Sequence, residues 1–250
     1  MLMQELDRSE DGLIERYEQH PVLANIGLLA EEDFAAILLQ RRFLSLAFTP
    51  SYDLAIDLLG DEVALRIARI ILREEYPDDR GYTPSHREDM TEDLRRLVVS
   101  RAAVVGTRPT AATRQAITGT LELIADAGAH PDADLRLVTL LRFWGEVLVS
   151  VEYGRLWERM EPVFSRGGEN RSRFYYPHHV HDAKANPLAT VSRLSTTHPD
   201  RLATRLSELL AREESADSFV EVFKKVEEGA LRLKEGFYDQ FLPALERVGV

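Results

Sequence analysis

The sequence contains no cysteine. That excludes disulfides, thiolate-held metals, iron–sulfur clusters and cysteine nucleophiles, so any bound metal would have to be held by His, Asp and Glu. Long apolar runs are also missing: none approaches the ~18–20 residues that a membrane span needs. Positive charge is scarce. Against 42 Asp and Glu stand 31 Lys and Arg, for a formal charge of −11. A phosphate backbone needs a basic face, so nucleic acid is not an expected partner. The opening segment MLMQELDRSEDGLIERY is acidic and amphipathic and does not read as a secretory leader. What is present is 44% hydrophobic and 29% charged residues over 250 positions, the balance of a globular chain with a substantial core. The expectation is a cytoplasmic protein with neither membrane nor nucleic-acid partners.

Apolar residues recur at spacings of three and four almost throughout, and no alternating strand or flanked hairpin dipeptide stands out. A first helix falls within residues 3–19. A second runs from about Glu31 to Phe48, with Pro50 expected to kink or restart it. Asp61 opens a helix carrying Val63, Ile67, Ile70 and Ile71, which YPDDRGYTPS ends. Pro84 or Ser85 opens the next, with Met90, Leu94, Leu97 and Val98 inward. Thr110–Ala127 follows, then the longest segment, from Asp132 to about Phe164. SRGGENRS reads as a loop. Pro177 opens a helix beginning HHVHDAKAN, another covers Pro199–Ala211, and the last covers Ser218–Val248. With no fixed repeat and no long linker, the expected fold is all-α: one bundle domain of seven to nine helices spanning 1–250.

In a bundle the informative polar residues interrupt apolar stripes, because a buried carboxylate or imidazole is costly unless paired or bound to metal. Glu74 and Glu75 end the helix that starts at Asp61, two anions at the wrong end of its dipole. Arg73 or a metal ion would offset them. His86 lies in the first turn of the next helix, eleven residues after Glu75. Glu152 interrupts a stripe of Leu141, Gly145, Leu148 and Leu156, whereas Glu146, four residues after Arg142, suits an exposed ion pair. Glu152 is therefore the expected buried carboxylate. His178, His179, His181 and Asp182 are the densest cluster, with His178 and Asp182 on one helix face. A metal held by imidazole and carboxylate fits them, as does a His-rich helix start near the surface. Gln40 shares a face with Ile37, Phe43 and Leu44 and must hydrogen-bond if buried.

These segments in this order resemble the heme-oxygenase-like superfamily of TenA-type thiaminases, pyrroloquinoline-quinone synthase and the heme-oxygenase-like diiron oxidases. HPVLANIGLLAEEDFAAILLQRRF resembles its opening, REEYPDDRGYTPSHREDM its Glu–loop–His segment, and FYYPHHVHDAKAN its late aromatic–His–Asp segment. The resemblance spans residues 20–186 and is nearest to the diiron branch. It implies metal ligands at Glu75, His86, Glu152, His178 and Asp182, with Glu74 a substitute for Glu75. It implies one or two iron ions, or manganese, and a homodimer. The sequence departs from the pattern at Gln40, where the branch has a Glu, and at Ala185, where it often has a His.

The function implied is a non-heme iron oxidase or oxygenase acting with dioxygen on a small metabolite, with His178 and Glu152 central. Gln40, Tyr175, Tyr176 and His181 would orient ligands or touch substrate. Arg41 and Arg42 could reach an anionic substrate, although a solvated face is the plainer role. The alternatives are a metal-free enzyme of the quinone-synthase kind and a non-catalytic binding or dimerisation protein. A TenA-type thiaminase reaction is disfavoured, since it uses a cysteine nucleophile. Heme oxygenase itself is disfavoured because His20 sits in a His-Pro loop.

Overall fold

The computed structural model describes residues 2–77, 83–97, 99–192, 194, 197–212 and 216–249. Val98, expected inward, lies outside them, as does half of the segment YPDDRGYTPS, residues 78–82. Most of the described residues are helical, as the periodicity requires. In chain order they form α1 (Leu2–Glu18), α2 (Pro21–Ala24), a 3-10 turn (Ile26–Leu28), α3 (Glu31–Leu58), α4 (Glu62–Glu74), α5 (His86–Arg96), α6 (Arg101–Gly106) and α7 (Ala111–Gly128). There follow α8 (Ala133–Leu140), a π-helical segment (Leu141–Val147), α9 (Leu148–Phe164), α10 (Tyr175–His181), α11 (His198–Leu210), α12 (Ala216–Asp239) and α13 (Leu242–Val248).

The starts follow ordinary capping chemistry. Asp61 accepts from the amides of Val63 and Ala64, and Ser85 and Glu88 form a reciprocal capping box on α5. Pro50, expected to kink or restart its helix, does not break α3, and α9 likewise runs on through Pro162. Both rings face outward, so the lost hydrogen bond falls on the solvent side, where water can replace it. The expected last helix is divided: α12 stops at Asp239 and Pro243 lies in the first turn of α13. SRGGENRS is a small hairpin rather than a plain loop. Ser165–Arg166 pairs with Glu169–Asn170 across Gly167 and Gly168, whose φ values of 62° and 81° suit glycine. Its arms are two exposed residues each, too short to show alternation.

The rod α8–π–α9 runs through the middle of the bundle, against α1, α7, α10, α11 and α12. Every residue from Leu137 to Ser150 is buried, so no amphipathic stripe exists there to read. In the π segment each turn takes in an extra residue, which rotates the following side chains by about 100° from their α-helical direction. No helix among the described residues is long and apolar enough to cross a membrane.

Helices α3 and α7 meet where Gly128 admits Leu58. A β-carbon on Gly128 would lie 2.7 Å from Leu58 Cδ1 and 3.0 Å from its Cβ, which the backbone holds in place. Gly128→Ala is expected to destabilise the fold by about 1–3 kcal/mol, read in a urea titration, despite alanine's better helix propensity.

Candidate metal centre

Four helices and the π segment bring eight acid and imidazole groups to one cavity. Glu74 closes α4 and Glu75 caps it; His86 opens α5; His198 opens α11. His178 and His181 lie on α10, and Asp182 caps it. Glu146 projects from the π segment. All eight line a cavity with about 770 Å³ of space between atoms, counting its open mouth.

The groups fall into two sets. In the first, His86 Nδ1 donates to Glu75 Oε1 at 2.9 Å, and the His86 and His178 rings are 4.6 Å apart. One donor atom from each of Glu75, His86 and His178 lies within 4.8 Å of the others. In the second, His181, Asp182 and His198 meet the same limit. His181 Nδ1 lies 2.6 Å from Asp182 Oδ1. His198 Nδ1 lies 3.2 Å from Glu146 Oε2 and 3.5 Å from Asp182 Oδ1, and its Nε2 lies 3.3 Å from Glu74 Oε2. Tyr52 donates to the other oxygen of Glu146. Gly145 makes room for that phenol, since a β-carbon there would stand 3.1 Å from Tyr52 Oη.

The electrostatics follow from burial and these partners. Burial pushes His178 down to about 4, with His86 and His181 adding to the effect, so the ring is neutral near pH 7. Its Nδ1 donates to the Phe174 carbonyl at 2.6 Å, which fixes the tautomer and leaves Nε2 free. Burial opposes charge on His198, but hydrogen bonds to Asp182, Glu146 and Glu74 outweigh it and raise the ring to about 12. Glu146 is raised to about 7, first by burial and then by Asp182. Asp182 is buried too, yet hydrogen bonds from His181 and His198 hold it below the usual carboxylate range.

The structure thus brings together Glu75, His86, His178, His181 and Asp182. It does not bring Glu152 to them. That carboxylate is fully buried, as its stripe requires, but its partners are cations: Arg41 Nε donates to it at 2.5 Å, Lys234 Nζ at 3.2 Å, and Tyr238 donates as well. The expected burial of Glu152 holds, but Glu146, expected in an exposed ion pair, is buried as well. Glu146 is 1% exposed, and Arg142, its expected surface partner, turns instead to a buried pair with Glu10.

Gln40 is buried but lies outside the cavity. It donates to the Arg108 carbonyl and accepts from Thr110 N and Thr113 Oγ1, tying α3 to the start of α7. Tyr175 packs edge-on against Tyr153, and Tyr176, 38% exposed, against Trp157; neither lines the cavity. Arg41 is buried and lines the cavity rather than a solvated face. Ala185 is exposed beyond the end of α10, and His198 from α11 supplies the imidazole beside Asp182. Of the eight groups, His198 has no place in the expected set and Glu146 is expected at the surface. His198 carried a signal: like His86, it opens a helix after a hydroxyl residue and precedes an acidic one.

Lys234 also titrates away from the ordinary range. Burial lowers it to about 8, Glu152 partly restores it, and Arg41 lowers it again. Between pH 8 and the ordinary lysine value of 10.5, the unfolded chain holds this proton and the folded chain does not. Stability should therefore rise with pH across that window. Relative to Lys234→Met, the wild type is expected to gain up to about 1.4 kcal/mol per pH unit there, measured by urea unfolding at pH 8 and pH 10.

No protein-family model matches the sequence, and no curated protein matches it in sequence. Solved structures do match its shape. A TenA family transcription regulator from Silicibacter sp. superposes with a TM-score of 0.61 at 16% identity, covering 97% of this chain and 96% of its own. A CADD-like protein of unknown function from Nostoc punctiforme gives a TM-score of 0.64 at 12% identity, covering 98% of this chain and 100% of its own. The chain therefore has the all-α heme-oxygenase-like fold.

Proposed function

We propose that the cavity holds iron, as one or two ions, and that the protein is a non-heme iron oxidase or oxygenase acting on a small molecule. The observation that carries this reading is the donor set. Two groups of carboxylate and imidazole converge in one cavity, and His178 is neutral with its far nitrogen anchored on a backbone carbonyl. These are hard-to-borderline donors that suit iron, and manganese next. Glu75, His86 and His178 would hold one ion. Asp182, His181 and His198 would hold the other, with Glu146 beside His198. When bound, iron would supply the dioxygen chemistry that amino-acid side chains lack. The chain's own part is to place and protect. Tyr52 orients Glu146, the Phe174 carbonyl orients His178, and Leu44, Phe48 and Trp144 exclude water from the apolar wall.

One observation favours a metal-free enzyme of the quinone-synthase kind. His198, protonated among three carboxylates, satisfies that half of the cluster without an ion. Elemental analysis after anaerobic loading with Fe(II), paired with oxygen consumption, separates the two readings. The iron reading expects retained iron that is lost in His178→Ala. Iron binding unchanged by that substitution, or no retention by the wild type, rejects it.

A further inference from the structure

The cavity has a second end of opposite character. Arg41 and Lys234 line it, 3% and 4% exposed. The Tyr153 ring lies 4.8 Å from Arg41 Cζ and 6.0 Å from the His178 ring, so one side chain separates the guanidinium from the imidazoles. At this end two cations share one carboxylate, Glu152. Arg41 Nη1 donates to Ser45 Oγ at 2.9 Å, while Arg41 Nη2 has no partner among the described residues and Lys234 Nζ has only Glu152. One positive charge is therefore uncompensated in a buried place, which is costly until an anion joins it. The intervening wall is apolar, with Leu44, Ile117, Val149 and Leu233.

On the reading of this cavity as a substrate site, we propose that its substrate is a small carboxylic acid with an apolar body. The carboxylate sits against Lys234 and Arg41, and the body extends past Tyr153 toward the acid–imidazole cluster. A single negative charge matches the single excess positive charge, whereas a phosphate dianion would bury a second, unmatched one. Burial holds Lys234 at about 8, and the Arg41 charge beside it adds to that lowering, which Glu152 offsets only in part.

The test compares 3-phenylpropanoate with its uncharged isostere 3-phenylpropanamide by ligand-observed NMR titration of the full chain in EDTA, so that no metal can draw the carboxylate. The wild type is expected to bind the acid at least about tenfold more tightly, the scale of one charge-assisted contact. Lys234→Met should reduce that preference to within about twofold, and Lys234→Arg should keep it. Equal binding of the two ligands by the wild type overturns the proposal without any variant being needed. A folded Lys234→Met that keeps the full preference overturns it too. A preference that appears only after Fe(II) loading overturns this proposal but leaves the iron reading standing. A preference in EDTA from a chain that retains no iron supports this proposal and rejects the iron reading.

Discussion

Glu152→Ala is expected to lower the melting temperature by on the order of 10 °C while leaving iron retention within about twofold of the wild type at temperatures where the variant is folded. The substitution strands Arg41 and Lys234 in the core, and breaking a buried ion pair from one side costs about 3–5 kcal/mol. In a chain of this size each kcal/mol moves the midpoint by about 2–4 °C. Glu152→Gln should fall between, since the amide keeps hydrogen-bonding capacity but not the charge. Differential scanning calorimetry and elemental analysis on the same preparations provide the check. A folded Glu152→Ala that cannot retain iron would return Glu152 to the metal site.

The opposite pattern is expected one and a half turns earlier on the same rod. Glu146→Gln should weaken iron binding at least about 100-fold, the upper end of what loss of a supporting partner costs, because this carboxylate hydrogen-bonds His198 of the second donor set and is itself held by Tyr52. Its effect on the metal-free melting temperature should be a few degrees at most. Burial and Asp182 already hold Glu146 near 7, so neutralising it relieves repulsion as well as removing an acceptor. His198→Ala should match the loss of iron. Competition against a chromophoric chelator measures both. Iron retention by Glu146→Gln equal to that of the wild type would remove this carboxylate from the centre. The two glutamates, six residues apart, thus separate binding from stability.

The helical character, most starts and the His-rich end of α10 were legible from spacing and capping chemistry. Asp61 and Ser85 announce their helices, and His178 and Asp182 share a face whatever surrounds them. Glu75 and His86 were legible as a pair because a helix end and the next helix start lie close along the chain. Glu146 was not, for a geometric reason. The argument from Arg142 assumes a regular α-helical turn, and that turn is π-helical and buried on all sides. Glu152 misled because burial alone does not reveal the sign of a partner. Arg41 and Lys234 come from helices far away in sequence, and neither local pattern pointed inward. Gln40 was correctly expected to be buried and bonded, but only the packing of α3 on α7 shows that its bonds go to the backbone near Thr110.

Apart from Glu146, the eight acid and imidazole groups come from four helices, α4, α5, α10 and α11, at or near their ends. An ion seated among them would join α4, α5, α10 and α11 as a cross-link that the covalent chain does not otherwise provide. Because such an ion binds only the folded arrangement, its occupancy would add to stability in proportion to the logarithm of its free concentration.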